Sequence, residues 1–298
     1  MSKKSTLIVK DNALINASYN LDLVEQRLIL LAIIEARESG KGITANDALA
    51  VHASSYMNQF DVEKHTAYKT LKAACKDLFN RQFTYQILSA KGSVETVLSR
   101  WVSRISYIES DAIVKITFAP DVVPLITRLE QHFTSYEIEQ VRHLSSRYAI
   151  RLYEIIIQWR SIGKTPFLEL TELRLRLGVS DDEYQRMELF KRKILELSIS
   201  QINKHTDILV GYEQVKAGRV ITGFTFIFTQ KMQPKDVTPQ PKPKVIPTKK
   251  TNETDIDVLL KNDDWVSEHA HTGESWEHAR ARLRIEAATG KFSLAPTN

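Results

Sequence analysis

Hydrophobic and polar residues in the second half of the chain follow first a helical and then a strand-like spacing. Apolar residues at helical spacing predict three helices, over Tyr148 to Trp159, Thr171 to Leu177 and Tyr184 to Lys204. A short strand from Phe167 to Leu170 lies between the first two, and Gly178 ends the second helix. Residues 208–228 then form two alternating arms with Ala217-Gly218 between them, which predicts a β-hairpin. Helix, strand, helix, helix and hairpin in this order are typical of a winged helix-turn-helix.

The first half of the chain has the same order of predicted elements. Helix, strand, helix and helix are expected over Leu21 to Arg37, Ala48 to Val51, Ser54 to Phe60 and Val62 to Phe79. Three strands of a meander follow, over Phe83 to Leu88, Val94 to Ile108 and Ala112 to Phe118. Residues 119–144 join the two halves. We therefore predict an α+β fold with two tandem winged-helix domains of pseudo-twofold similarity, over residues 1–125 and 126–233.

Proline marks a change of composition after residue 233. Five of the nine prolines lie within residues 234–250, and proline at this density cannot continue a helix or a strand ladder. We therefore predict a Pro/Lys-rich linker over residues 234–250. Residues 251–298 begin with an excess of acidic residues and contain one segment with helical spacing. They are expected to form a flexible, largely disordered acidic tail with one short helix.

Composition and charge narrow the class of partner. The 298 residues are 43% hydrophobic and 26% charged, which is typical of a folded globular protein. A net charge of +5 permits a polyanionic partner without demanding one. The single cysteine, Cys75, excludes an internal disulfide, and no Cys/His group has zinc-site spacing, so no metal or other cofactor is expected. The N-terminus lacks a secretory apolar core and no apolar run reaches roughly 18 residues, so a cytoplasmic protein without a membrane partner is expected.

The predicted helix from Val62 to Phe79 separates an apolar face from a basic one. At 100° per residue, one face carries Tyr68, Leu71, Cys75 and Leu78, and the other carries His65, Lys69, Lys72 and Lys76. A row of ammonium groups suits the phosphates of DNA, although it lacks the forked geometry that reads a base. An ordinary solvated face is the commoner meaning of such a row. The position of the helix directly before a β-meander favours DNA contact.

The predicted helix from Tyr184 to Lys204 carries a run of positive charge. Its apolar side holds Phe190, Ile194, Leu195, Ser198, Ile199 and Ile202, and its outward side holds Arg186, Leu189, Lys193, Glu196 and Ser200, with Arg192 at the margin. The residues expected to contact DNA are Arg186, Arg192, Lys193 and Ser200, with Lys216 and Arg219 at the hairpin tip. Arginine can both bind phosphate and make bidentate contacts to guanine. The long Lys191 side chain is expected to lie along the apolar side. A purely structural helix with a charged exterior is the alternative.

Three blocks of sequence carry a resemblance to a known family. They are LVEQRLILLAI near the start, SSRYAIRLYEII at the head of the second half, and FKRKIL followed by SISQINKHTD. With these blocks in this order, residues 7–230 resemble the iteron-binding replication initiators of theta-replicating bacterial plasmids, the RepE-like Rep family. The resemblance does not extend to the proline-rich linker or the tail.

This resemblance implies a function, a partner and a mode of assembly. It implies two winged-helix domains whose basic helices contact neighbouring major grooves of double-stranded DNA, at repeated origin elements called iterons. Monomers would bind the iterons, and homodimers, formed through the first domain, would repress the protein's own gene. The host replication initiator and the replicative helicase would be recruited to the origin.

Two other functions are left open by the residues themselves. A winged-helix transcriptional regulator would have the same DNA-binding features. A rolling-circle initiator would need a tyrosine and a metal held by two histidines, and the nearest match, His269-Ala270-His271, lies in the tail without the bulky apolar residue that such a motif has. A phosphate-binding P-loop motif does not occur in the sequence. We therefore expect a protein that binds DNA and is not an enzyme.

Overall fold

The computed structural model describes residues 6–38, 43–88, 92–127 and 132–231, and a few residues of the tail (260, 265–266, 279–280 and 282–283). The chain divides into one compact unit over Met1–Gln233 and a second over Pro234–Asn298. The predicted proline-rich linker lies outside the described residues.

The described elements of the first unit are short helices and strands, with α2 and α4 the longest helices. In the first half they are β1 (Leu7–Asp11), α1 (Asn12–Asn16), α2 (Leu23–Glu38), β2 (Leu49–His52), α3 (Ala53–Phe60), α4 (Lys64–Asn80), β3 (Gln82–Leu88), β4 (Val94–Arg100), β5 (Val102–Ile108), β6 (Ile113–Phe118) and α5 (Val122–Ile126). In the second half they are β7 (Phe133–Glu137), α6 (Glu139–Arg142), α7 (Arg147–Ile157), β8 (Leu168–Glu169), α8 (Leu170–Leu177), α9 (Met187–Phe190), a π-helical segment (Lys191–Glu196), α10 (Leu197–His205), β9 (Ile208–Ala217) and β10 (Val220–Gln230).

Local sequence signals explain where the central helices begin and end. Helix α7 is capped by Ser146, whose hydroxyl accepts a hydrogen bond from the backbone N–H of Tyr148 at 3.2 Å. Helix α8 ends at Gly178, which has a φ of 72°. A Cβ at this glycine would lie 2.2 Å from the carbonyl oxygen of Tyr19. Only glycine therefore allows the end of α8 to approach this segment of the first half so closely.

The strands form four small sheets. The strand orders are β2-β6-β5, β3-β4, β8-β10-β9 and β1-β7, and all pairs are antiparallel. In the β1-β7 pair, Leu7 is opposite Glu137 and Asp11 is opposite Phe133, so a strand at the start of the chain pairs with one that follows residue 132. The predicted domain division at residue 126 stays a prediction.

The predicted strand from Val94 to Ile108 was wrong, and so was the single meander. The chain breaks at Trp101 into β4, which pairs with β3, and β5, which pairs with β6. Trp101 is fully buried, with its ring 4.9 Å from the rings of both Tyr19 and Phe83. Burial of this large ring redirects the chain from the β3-β4 ribbon into the β2-β6-β5 sheet.

A buried ionic cluster lies where the two halves of the first unit meet. The Arg151 side chain, 1% exposed, donates hydrogen bonds to the Tyr19 hydroxyl, the Glu154 carboxylate and the carbonyls of Ile15, Ala17 and Arg176. Glu154 also accepts from the Lys10 ammonium and the Tyr136 hydroxyl, both at 2.6 Å. Burial alone would raise the pKa of Glu154, but the cations of Lys10 and Arg151 outweigh burial and hold its pKa below the ordinary value. The buried Glu154 of the second half is therefore paired with Lys10 of the first half and with Arg151 of its own half.

The second unit contains a small apolar cluster within its described residues. It consists of Leu260, Val266, Ala279 and Leu283, with the half-buried Trp265 beside it. The described residues 279–280 and 282–283 are helical and lie within the segment predicted to form a short helix. In the part of the chain that the structure describes, no helix is long and apolar enough to cross a membrane.

Candidate nucleic-acid interface

The turn before the basic helix of the second half is organised by Arg174 on α8. Its guanidinium donates to the carbonyls of Ser180, Glu183 and Tyr184 at 3.0, 2.6 and 3.2 Å. The same guanidinium lies 5.3 Å from the centre of the Phe190 ring. These contacts fix α8 and the following helix as a helix-turn-helix pair.

The helix that follows this turn differs from the regular helix that was predicted. It starts at Met187 and not at Tyr184, because Tyr184 has a φ of 47° and belongs to the turn. Residues Lys191–Glu196 then form a π-helical segment, and Leu197–His205 continue as an α-helix. We call residues 187–205 the composite helix. Its π-helical segment contains the predicted run of positive charge, and π-helical turns are frequent at functional sites.

The inward side of the composite helix is as predicted. The side chains of Phe190, Ile194, Leu195, Ser198 and Ile202 are buried, and Ile199 is half-buried. Their burial against the core leaves the opposite side of the helix facing solvent.

The predicted DNA-contacting residues on the composite helix, and Arg186 directly before it, face solvent. Arg186, Arg192, Lys193 and Ser200 are all exposed. Glu188 lies between the two arginines, 3.0 Å from a guanidinium nitrogen of Arg186 and 3.5 Å from one of Arg192. Among the described residues, the ammonium of Lys193 has no ion-pair partner. Glu188 was not among the predicted site residues, although its spacing of four residues from Arg192 was a signal for this pair.

The composite helix is tied to the β9-β10 hairpin at both ends. Near its start, the half-buried Lys191 donates to the Gln214 side chain at 3.3 Å and lies 5.7 Å from the centre of the Tyr212 ring. This agrees with the predicted path of Lys191 along the apolar side. Near its end, the Asn203 amide accepts from the Val210 N–H at 2.6 Å and donates to the Val210 carbonyl at 2.9 Å.

The hairpin tip carries the two predicted cations. Val220 pairs with Ala217, so Gly218 and Arg219 form a two-residue loop. Gly218 has a φ of 61°, which the tight turn of such a hairpin needs. Lys216 and Arg219 are exposed, and within residues 132–231 neither side chain has an ion-pair partner.

Helix α4 is the corresponding basic helix of the first half. Its buried residues are Ala67, Leu71, Ala74, Cys75 and Leu78, and Tyr68 is half-buried, as predicted. Burial raises the pKa of the Cys75 thiol to about 12, so this thiol is not a reactive nucleophile at neutral pH. His65, Lys69 and Lys76 are exposed.

Lys72 departs from the predicted solvent-facing row. Its ammonium forms an ion pair with Glu109, just after β5, and lies 5.1 Å from the centre of the Tyr107 ring. The hydrogen bond to Glu109 raises the pKa of Lys72. The helical spacing was right, but an ion pair with a residue 37 positions away cannot be read from one helix. Lys69 and Lys76 remain the exposed lysines of this row.

The structure holds no cluster that would suggest a metal centre among the residues it describes. His269 and His271, the pair considered for a nicking enzyme, lie outside the described residues. DNA contact by the predicted site residues in both halves stays a prediction.

Comparison with known proteins identifies relatives of both halves. A family model described as the WH1 domain of the initiator replication protein matches residues 7–157, and one described as the WH2 domain of the initiator Rep protein matches residues 169–228. A replication initiation protein of Escherichia coli is 20% identical over 191 residues, which cover 64% of this chain and 56% of that protein.

Two solved structures are also similar to this chain. The Pi initiator protein, crystallised in complex with iteron DNA, is 22% identical, with a TM-score of 0.64, and the match covers 78% of this chain and 100% of that one. The WH1 domain of MSBI1.176, a replication protein isolated from a multiple sclerosis patient, is 70% identical; the match covers 43% of this chain and 97% of that domain, with a TM-score of 0.36. The family models and the Pi structure together confirm the prediction of two winged-helix domains.

Proposed function

Because this chain belongs to the family of initiator replication proteins with a WH1 and a WH2 domain, we propose that it initiates plasmid replication by binding iterons at the origin. The composite helix would enter a major groove and read bases, and the hairpin tip would contact the adjacent backbone. Helix α4 would bind the phosphates of a neighbouring groove through Lys69 and Lys76.

One observation carries this proposal most directly. The composite helix is held by Arg174 on one side and by the β9-β10 hairpin on the other, while Arg186, Arg192 and Lys193 remain exposed. Groove binding requires a rigid helix with an exposed cationic face, because a helix that is already ordered loses little conformational entropy when DNA binds. The reaction would need no covalent step by the protein, so we propose that it is not an enzyme.

Further parts of the proposal concern assembly and partners in the bacterial cytoplasm. Monomers would bind iterons, homodimers would repress the protein's own gene, and the host initiator and replicative helicase would be recruited to the melted origin. Strand β4 supports the homodimer: among the described residues it pairs with β3 alone, and Val94 and Leu98 on it are 63% and 64% exposed. An edge strand with exposed apolar side chains is suited to pairing with a second chain.

Footprinting distinguishes this function from that of a transcriptional regulator. DNA from the region flanking the coding sequence would be treated with a nuclease in the presence of the purified full-length protein. An initiator should protect several direct repeats in tandem, spaced by about two helical turns. Protection confined to one inverted repeat would contradict initiation and favour the regulator.

A further inference from the structure

The exposed side of the composite helix carries two residues that phosphate binding does not explain. They are Glu196, a carboxylate, and Leu197, an apolar side chain that is 45% exposed. Glu196 and Ser200 lie one turn apart, opposite the buried Phe190, Ile194 and Ser198. Glu196 is therefore near the middle of the surface that the proposed groove contact would use.

The Glu196 carboxylate is not used elsewhere in the described protein. Between residues 132 and 231 it has no ion-pair partner, whereas Glu188 on the same helix is occupied by Arg186 and Arg192. A carboxylate is repelled by phosphates, so a helix that bound only the DNA backbone would do better without it. In the major groove, a carboxylate finds a hydrogen-bond donor in the N4 amino group of cytosine.

Leu197 fits a different feature of the same groove. A half-exposed leucine costs free energy in water, and most of the neighbouring solvent-facing residues are polar. The C5-methyl group of thymine is the apolar feature that the major groove presents, and apolar side chains contact it.

We propose that Glu196 and Leu197 determine sequence specificity, Glu196 by accepting a hydrogen bond from cytosine N4 and Leu197 by contacting a thymine methyl group. This inference rests on the proposed DNA-binding function and deepens it. Arg192 and Lys193 supply attraction, and Glu196 discriminates between bases. Its carboxylate would be repelled by thymine O4 and guanine O6, which are acceptors, and adenine presents its N6 donor beside the N7 acceptor, which also repels a carboxylate.

The test is selection of binding sites from a library of random-sequence DNA duplexes by the full-length protein. The wild-type protein should select a site with a cytosine and a thymine at fixed positions, each preferred about 5- to 150-fold over other bases. Glu196→Ala should reduce the cytosine preference to less than about 2-fold, and Leu197→Ala should do the same for the thymine. Binding to random DNA should be retained or strengthened in Glu196→Ala, because a negative charge is removed.

Two further variants serve as a conservative exchange and a control. Glu196→Gln should shift the preference from cytosine towards adenine, since a glutamine side chain pairs with adenine N6 and N7. Asp111→Asn removes an exposed carboxylate at the turn between β5 and β6, and it should leave every base preference unchanged.

The outcomes separate this inference from the proposed function. If the wild-type protein selects no site at all, the proposed function fails and the inference fails with it. If the wild-type protein selects a site and both alanine variants and Glu196→Gln select the same site with the same preferences, only the inference is overturned.

Discussion

Helix α4 and the composite helix hold equivalent places in the two halves, but they present their charges differently. In α4 the helix is regular, and its central lysine, Lys72, is paired with Glu109 of the same protein. In the composite helix a π-helical segment interrupts the regular pattern, and Arg192 and Lys193 within it are exposed. The difference suggests that α4 supplies general attraction through Lys69 and Lys76, and that base reading belongs to the composite helix.

The largest expected effect comes from disrupting the buried cluster that joins the halves carrying these two helices. Arg151→Ala would remove one of the two cations that pair with Glu154 and the donor to the carbonyls of Ile15, Ala17 and Arg176. It should lower the free energy of unfolding by about 3–5 kcal/mol. Urea denaturation would measure this decrease. Arg186→Ala, at an exposed position beside the composite helix, is the matched control and should cost little. A decrease below about 1 kcal/mol for Arg151→Ala would show that the junction is not a stabilising feature.

The next effect tests base reading by the composite helix. Arg192→Ala or Lys193→Ala should each weaken binding to the cognate repeat by about 1–3 kcal/mol if the residue contacts a base. Fluorescence anisotropy with cognate and random duplexes at one salt concentration would measure it. An equal weakening on the two duplexes would instead place that residue on the backbone, and the composite helix would then resemble α4.

A third prediction concerns α4 and its exposed lysines. Replacing Lys69 and Lys76 by alanine should weaken binding to all sequences alike and reduce the slope of log K against log salt by about 0.9 for each phosphate that is no longer neutralised. Lys72→Ala provides the internal comparison, because this lysine is already paired with Glu109. Its slope should change less than that of Lys69→Ala. A larger change for Lys72→Ala would mean that the ion pair opens when DNA binds.

The smallest expected effect on DNA binding comes from Glu188, whose carboxylate pairs with both Arg186 and Arg192. Glu188→Gln would release Arg186 and Arg192 from an exposed ion pair whose contribution is about 0.2–1 kcal/mol. Affinity for random DNA should rise slightly, because a negative charge is removed, and the ratio of cognate to random affinity should fall. Fluorescence anisotropy on both duplexes would measure this ratio. An unchanged ratio would show that Glu188 does not orient these arginines.

The spacing of apolar residues predicted the helices and strands of this chain better than it predicted where one strand ends and the next begins. Helix α7 could be placed because its apolar residues recur at helical spacing, and the β9-β10 hairpin because its residues alternate. The break at Trp101 could not be read from local pattern, since residues 94–108 contain no proline or glycine that would mark the end of one strand and the start of the next. What divides them is the burial of a ring against Tyr19 and Phe83, which are distant in sequence.

The candidate site shows the same limit. The inward and outward residues of the composite helix followed from a period near 3.6, and the buried side was predicted correctly. The π-helical segment has no signal in that period. Lys72 pairs with Glu109, and Arg174 donates hydrogen bonds to a turn. Both contacts join different elements and depend on the tertiary fold, so they could not be predicted from the sequence.

The pairing of β1 with β7 has a consequence for the order in which parts of this protein fold during synthesis on the ribosome. Leu7–Asp11 are synthesised early, yet their partner strand, Phe133–Glu137, emerges only after more than a hundred further residues. Closing so long a loop is slow, because chain entropy decreases before the strands pair. Strand β1 therefore cannot pair until the beginning of the second half has been synthesised, and a fragment that ends at residue 125 would leave β1 without its partner strand.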